Sequence, residues 1–166
     1  MRTMLSGFTL AILILPLSLV GAKVPDSIAV TGEDLVATLH AQGSQVYECK
    51  VDIAGKLVWQ FREPIAMLVV DDKTVGRHFA GPTWELTDGS RLTGKVSGRA
   101  PGATASDIPL LKLDVTSRQG SGQLSGVATI LRLNTKGGVG EGPCERAGTF
   151  LSVPYSADYM FYGKKS

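Results

Sequence analysis

The segment His78 to Arg91, HFAGPTWELTDGSR, is the densest cluster of polar and aromatic side chains in the chain. His78 can titrate or ligate near neutral pH. Trp84 offers a flat apolar face, Glu85 and Asp88 offer carboxylates, and Arg91 offers a fork for anions. A ligand site needs a concave apolar surface with a few converging polar groups. His78, Trp84, Glu85, Asp88 and Arg91 could supply those groups. Tyr155, Tyr159 and Tyr162, in the last aromatic segment, could line a pocket for a sugar or another planar ligand, although packing is the favoured reading for them. A hydrolase or lyase would draw on the same segment, for example through a His78–Asp88–Ser90 triad. Each residue also has a structural reading. Trp84 suits a core, Asp88 suits a turn, and Glu85 with Arg91 suits a cross-strand ion pair. Residues at a hairpin turn seldom converge into a triad, so packing is the favoured reading.

Other chemistries lack their residues. The chain has no G-x-S-x-G elbow, no H-E-x-x-H and no Walker A loop. The pairs Gly55-Lys56, Gly94-Lys95 and Gly163-Lys164 lack the following Ser or Thr. Gly120-Ser121-Gly122 only begins a dinucleotide fingerprint, and no helix pattern follows it to aim at pyrophosphate. A NAD-dependent dehydrogenase is therefore the least favoured activity, and no cofactor is expected. His40 and His78 do not make a metal site with the two cysteines at any familiar spacing, so no metal is expected. Arg91, Lys95 and Arg99 share strand parity, which reads as a solvated face blunting a sheet edge in preference to an anion-binding stripe. Without interleaved aromatics it does not point to nucleic acid.

Residues 1–22 have the layout of a secretory signal peptide. Arg2 is followed by an uncharged apolar run, Phe8 to Val20, and by the small residues Gly21-Ala22. The run is short for a spanning helix and contains Pro16. Cleavage would leave about 144 residues, one domain's worth, and would lower the formal net charge of +2 by one. The mature chain is then extracytoplasmic, periplasmic or secreted, and not an integral membrane protein. In an oxidising compartment Cys49 and Cys144 are expected to pair as a structural disulfide. The C-x-x-C spacing of a redox site is absent.

The elements that must position these groups have a period of two. Tyr47, Cys49 and Val51 alternate with polar neighbours, and Leu57, Trp59 and Phe61 share a face with Val58 and Gln60 opposite. The series Leu111-Leu113-Val115 and Tyr155-Ala157-Tyr159-Phe161 repeat the pattern. Val127, Thr129, Leu131 and Leu133 mark a further strand. Ile65 to Val70 is a continuous apolar run that suits a strand buried on both sides. Gly43-Ser44 is expected to turn the chain, as are the glycine at 55 and Asp71-Asp72-Lys73. The loops are placed at 97–109 and at 137–142. A helix fits only Thr31 to Leu39, capped by Thr31. For the hairpin at Asp88-Gly89, a two-residue loop would set Leu86 against Arg91. A three-residue loop, Thr87-Asp88-Gly89, instead pairs Trp84 with Leu92 and Glu85 with Arg91, with Gly89 left-handed. Twenty glycines and frequent reversals argue for an all-β antiparallel sandwich or barrel, one domain over residues 23–166 with its core at roughly 24–163.

Several segments together resemble a family of small secreted proteins of unknown function from bacteria and fungi. They are Tyr47-Glu48-Cys49, His78-Phe79-Ala80-Gly81-Pro82-Thr83-Trp84-Glu85, Asp88-Gly89-Ser90, Asn134-Thr135-Lys136-Gly137-Gly138 and Val153-Pro154-Tyr155-Ser156-Ala157-Asp158-Tyr159. The resemblance implies a secreted single domain with its two cysteines at matching positions. Some members carry a malate dehydrogenase label, which the missing dinucleotide pattern does not support. The favoured reading is a non-catalytic binding or envelope-associated module with a small-molecule or envelope ligand.

Overall fold

The computed structural model describes residues 24–164; the leader therefore lies outside the described residues. Eight antiparallel strands close into an up-and-down barrel in chain order. They are β1 (Glu33–Val51), β2 (Leu57–Val70), β3 (Lys73–Phe79), β4 (Thr83–Leu86), β5 (Arg91–Ala100), β6 (Leu110–Gln119), β7 (Val127–Gly137) and β8 (Phe150–Lys164). β8 pairs back onto β1, which closes the sheet on itself. This resolves the choice between sandwich and barrel.

Alternation builds the core. Leu39 and Ala41 of β1, Ala66 and Leu68 of β2, and Tyr159 and Phe161 of β8 all face inward and are buried. The expected hairpin register is the observed one. Trp84 pairs with Leu92 and Glu85 with Arg91. Leu86 N–H donates to Ser90 O at 2.9 Å, and Gly89 has φ +87°. Cys49 and Cys144 are disulfide-bonded, with Cα atoms 5.6 Å apart.

Four expectations are corrected. Residues 33–39 are strand, not helix, because β8 pairs with them from Glu33 to Leu39 and tertiary pairing overrides local propensity. The only helix among the described residues is one 3-10 turn, Asp26–Ile28. Gly43 is not a turn residue but lies within β1. An added Cβ there would overlap the Ile65 carbonyl oxygen and sit 2.8 Å from Ala66 Cβ, so glycine permits close approach of β2. The run Ile65 to Val70 is buried on one face only. Ala66 and Leu68 face the core, while Ile65 and Met67 are 58% and 51% exposed. Finally, the parity of Arg91, Lys95 and Arg99 is broken. A bulge between Val96 and Gly98 shifts the register, and Arg99 comes to pair with inward-facing Leu111.

A second apolar cluster lies on the outside of the barrel. Ile28 of the N-terminal segment packs over Leu131, Leu133 and Ala100. Lys112 Nζ donates to Ala29 O at 3.2 Å, which helps strap the segment down. β7 is therefore buried on both faces. Leu131 and Leu133 belong to this outer cluster, whereas Val127 and Ile130 belong to the barrel interior.

The two ends of the barrel differ. At one end, Asp88 accepts from Ser90 N–H (2.8 Å), Ser90 Oγ (2.6 Å) and Gln123 N–H (2.7 Å). These bonds tie the β4–β5 turn to the β6–β7 loop and place buried Leu124 as a plug. At the other end β1 and β2 run on as a long hairpin, and the disulfide ties that hairpin to the β7–β8 connection. That end is the mouth.

Candidate functional site

The His78–Glu85 stretch folds as the β3–β4 hairpin at the mouth. Ala80-Gly81-Pro82 forms its tip, with Gly81 at φ +110°. Alternation then divides the side chains. His78 and Trp84 form an inward cross-strand pair. Their rings stack at 4.5 Å between centroids and 13° between planes. Tyr159 meets both edge-on, at 4.9 Å and 5.3 Å. Each such contact adds about 0.5–1.5 kcal/mol beyond the area it buries.

Above this aromatic floor lies a cavity of about 470 Å³. Its wall includes Gln45, Tyr47 and Phe61 from the long hairpin, Leu111 and Leu113 from β6, and the tip residues Gly81 and Pro82. Three guanidinium groups, those of Arg62, Arg99 and Arg132, also belong to the wall, and no Asp or Glu does. Tyr47 and Phe61 pack edge to face at 5.7 Å. Tyr47 Oη donates to Gly138 O at 2.6 Å and so holds the β7–β8 connection over the mouth. Asp107 accepts from Gly137 N–H (2.7 Å) and Thr104 Oγ1 (2.8 Å), which holds the β5–β6 loop beside it.

His78 is 3% exposed, and its Nδ1 lies 2.8 Å from Thr83 O. A carbonyl only accepts, so Nδ1 carries the proton and Nε2 is left as an acceptor. Burial disfavours the charged ring and pushes its pKa down to about 3, opposed in part by the Thr83 bond. The imidazole is neutral across the physiological range. Burial likewise raises the phenols of Tyr47, Tyr155 and Tyr159, while the Arg132 charge lowers all three. Two buried donors in the wall, Gln45 Nε2 and Trp84 Nε1, have no hydrogen-bond partner.

The other sequence candidates lie elsewhere. Tyr155 is buried on the inner face of β8 but is not part of the cavity wall. Glu85 is on the outer face, where Arg77 (2.9 Å) and Arg91 (3.5 Å) flank its carboxylate. Those two guanidinium groups also lie over the Phe79 ring, at 4.9 Å and 5.2 Å. Asp88 and Ser90 serve the closed end, so His78–Asp88–Ser90 is not a triad. His40 faces out and contacts Asp158 at 2.8 Å. Tyr159, read from the sequence as either a packing or a pocket-lining residue, belongs to this wall, whereas Gln45, Tyr47 and Arg132 were not singled out. Inward parity marked Tyr47; Arg99 stood only in the basic stripe read as a solvated face, and nothing local marked Arg132.

The chain belongs to the family described as protein of unknown function (DUF3455), whose profile matches residues 30–73 and 69–163. No curated protein and no solved structure matches the chain.

Proposed function

We propose that the protein is a non-catalytic binding module, exported from the cytoplasm, that holds one small molecule in the mouth of its barrel. The observation that carries this reading is the cavity of about 470 Å³. That size falls within the roughly 300–1,000 Å³ range of small-molecule sites. An eight-stranded barrel has room either to fill its interior with side chains or to keep space for one small ligand. This barrel fills its closed end with Leu124 and Phe161 and leaves its mouth open. The partnerless donors on Gln45 and Trp84 support the reading, because buried polar groups ordinarily find partners. The disulfide accords with an oxidising compartment.

A hydrolase or lyase reading has less behind it. His78 commits Nδ1 to Thr83, and a pKa of about 3 makes a weak base near neutral pH. The test is titration with a neutral apolar fluorophore, N-phenyl-1-naphthylamine. Saturable binding at one site is expected, and Val96→Phe, which fills the cavity, should abolish it with little change in melting temperature. Absence of saturable binding in the folded wild-type protein would overturn the proposal. Ester turnover that vanished in His78→Asn would favour the enzyme instead.

A further inference from the structure

We infer that the ligand is a flat apolar molecule ending in a carboxylate, with the carboxylate seated on Arg99 and Arg132 and the flat body over Trp84 and Tyr47. This inference deepens the binding proposal and rests on it. Charge is the first argument. The wall holds three arginines and no acid. Arg62 is partly neutralised by Glu63 at 3.2 Å and lies over Phe150 at 5.0 Å. Among the described residues, no ion pair engages Arg99 or Arg132. Arg99 is exposed and Arg132 partly buried, so both are open to an incoming anion.

Position is the second argument. Arg132 Nε and Nη2 both donate to Pro109 O, at 3.1 Å and 2.8 Å. That grip fixes the guanidinium and leaves other N–H donors of its five for a ligand. Its charge acts on Tyr47, His78, Tyr155 and Tyr159, and no carboxylate acts on any of them.

Hydrogen-bond type is the third argument. Donors predominate in the wall: Arg99 and Arg132 carry donors only, Gln45 Nε2 and Trp84 Nε1 are donors without partners, and the acceptor His78 Nε2 is set against them. Such a wall wants acceptors. A carboxylate is the acceptor that matches the planar fork of arginine. The apolar remainder of the wall, Ile108, Leu111, Leu113 and Val96, then covers the body.

The experiment compares 2-naphthoate with its neutral counterpart 2-naphthamide by calorimetry on the full mature protein. The carboxylate should bind at least about tenfold more tightly, the scale of one charge-assisted contact. Arg99→Met and Arg132→Met should each cut that preference severalfold, read as the ratio of the two affinities within each variant. Arg132→Lys should restore part of it, because charge is kept and the fork is lost. Added salt should erode the preference. Equal affinities, or a preference indifferent to both arginines, would overturn the carboxylate inference and leave the cavity intact. If neither compound nor N-phenyl-1-naphthylamine binds, the binding proposal itself fails.

Discussion

His78 should make the protein lose stability in mild acid with a slope that one residue accounts for. In the unfolded chain an imidazole titrates near about 6.5. In the folded barrel it is held neutral down to about 3. Between those values the unfolded state binds one more proton than the native state, so stability falls as pH falls. The contribution is fully present above the unfolded value and is lost progressively toward the folded one. From about pH 7 to about pH 5 the loss comes to about 2 kcal/mol, and it depends on the unfolded pKa alone as long as the folded one stays well below 5. Urea unfolding followed by tryptophan fluorescence at several pH values measures it. His78→Asn keeps a donor for Thr83 O but cannot titrate. It should be less stable throughout, since it loses the stack on Trp84, yet its acid slope should be smaller by that amount. The difference between the two proteins isolates His78, because His40 and every carboxylate are common to both. Equal slopes would refute the claim that the imidazole is buried and neutral.

Two glycine substitutions should destabilise for different reasons. Gly43→Ala forces a methyl into β2 and should cost about 1–3 kcal/mol or more, read from the urea midpoint. Gly89→Ala meets no atom within 4 Å but needs φ +87°, so it should cost about 1 kcal/mol, with Gly89→Asn milder. Reducing the disulfide, or replacing both cysteines by serine, opens a loop of 95 residues. In the chain-entropy model this costs on the order of 4–5 kcal/mol, and intact mass should rise by two hydrogens on reduction. If the leader is processed as proposed, terminal sequencing of the exported protein should begin at Lys23; retention of Met1 would count against export by this signal.

The fold was largely legible because alternation and turn chemistry agree over most of the chain. The hairpin register at Thr87–Gly89 followed from asking which loop length keeps Trp84 and Leu92 on one side. Where the reading failed, the cause lies in contacts distant in sequence. Residues 33–39 carry a weak cap signal, but β8 supplies them with strand partners. Gly43 reads as a turn because glycine usually marks one. Here the reason for glycine is the Ile65 carbonyl packed against it, twenty-two positions away. Ile65 to Val70 suggested burial on both sides, yet its outer face has no covering element.

The site was legible only in half, and the β-bulges explain which half. His78 and Trp84 sit on strands without an intervening bulge, so their shared inward face follows from parity. The same parity sends Glu85 and Arg91 outward, which is why neighbours in sequence do not converge in space. The arginines of the mouth lie beyond irregular steps. The slip between Val96 and Gly98 turns Arg99 toward Leu111, and the slip between Val127 and Thr129 sets Arg132 opposite Tyr159. A bulge adds one residue and exchanges the faces that follow it. Counting by twos from Arg91 therefore assigns Arg99 to solvent, and counting by twos from Val127 assigns Leu133 to the barrel core. Both assignments invert at the bulge. The outer position vacated by Arg99 is taken by Ala100, small enough to lie under Ile28. The irregularities thus do two things together: they give the N-terminal segment an apolar bed, and they direct two guanidinium groups into the mouth.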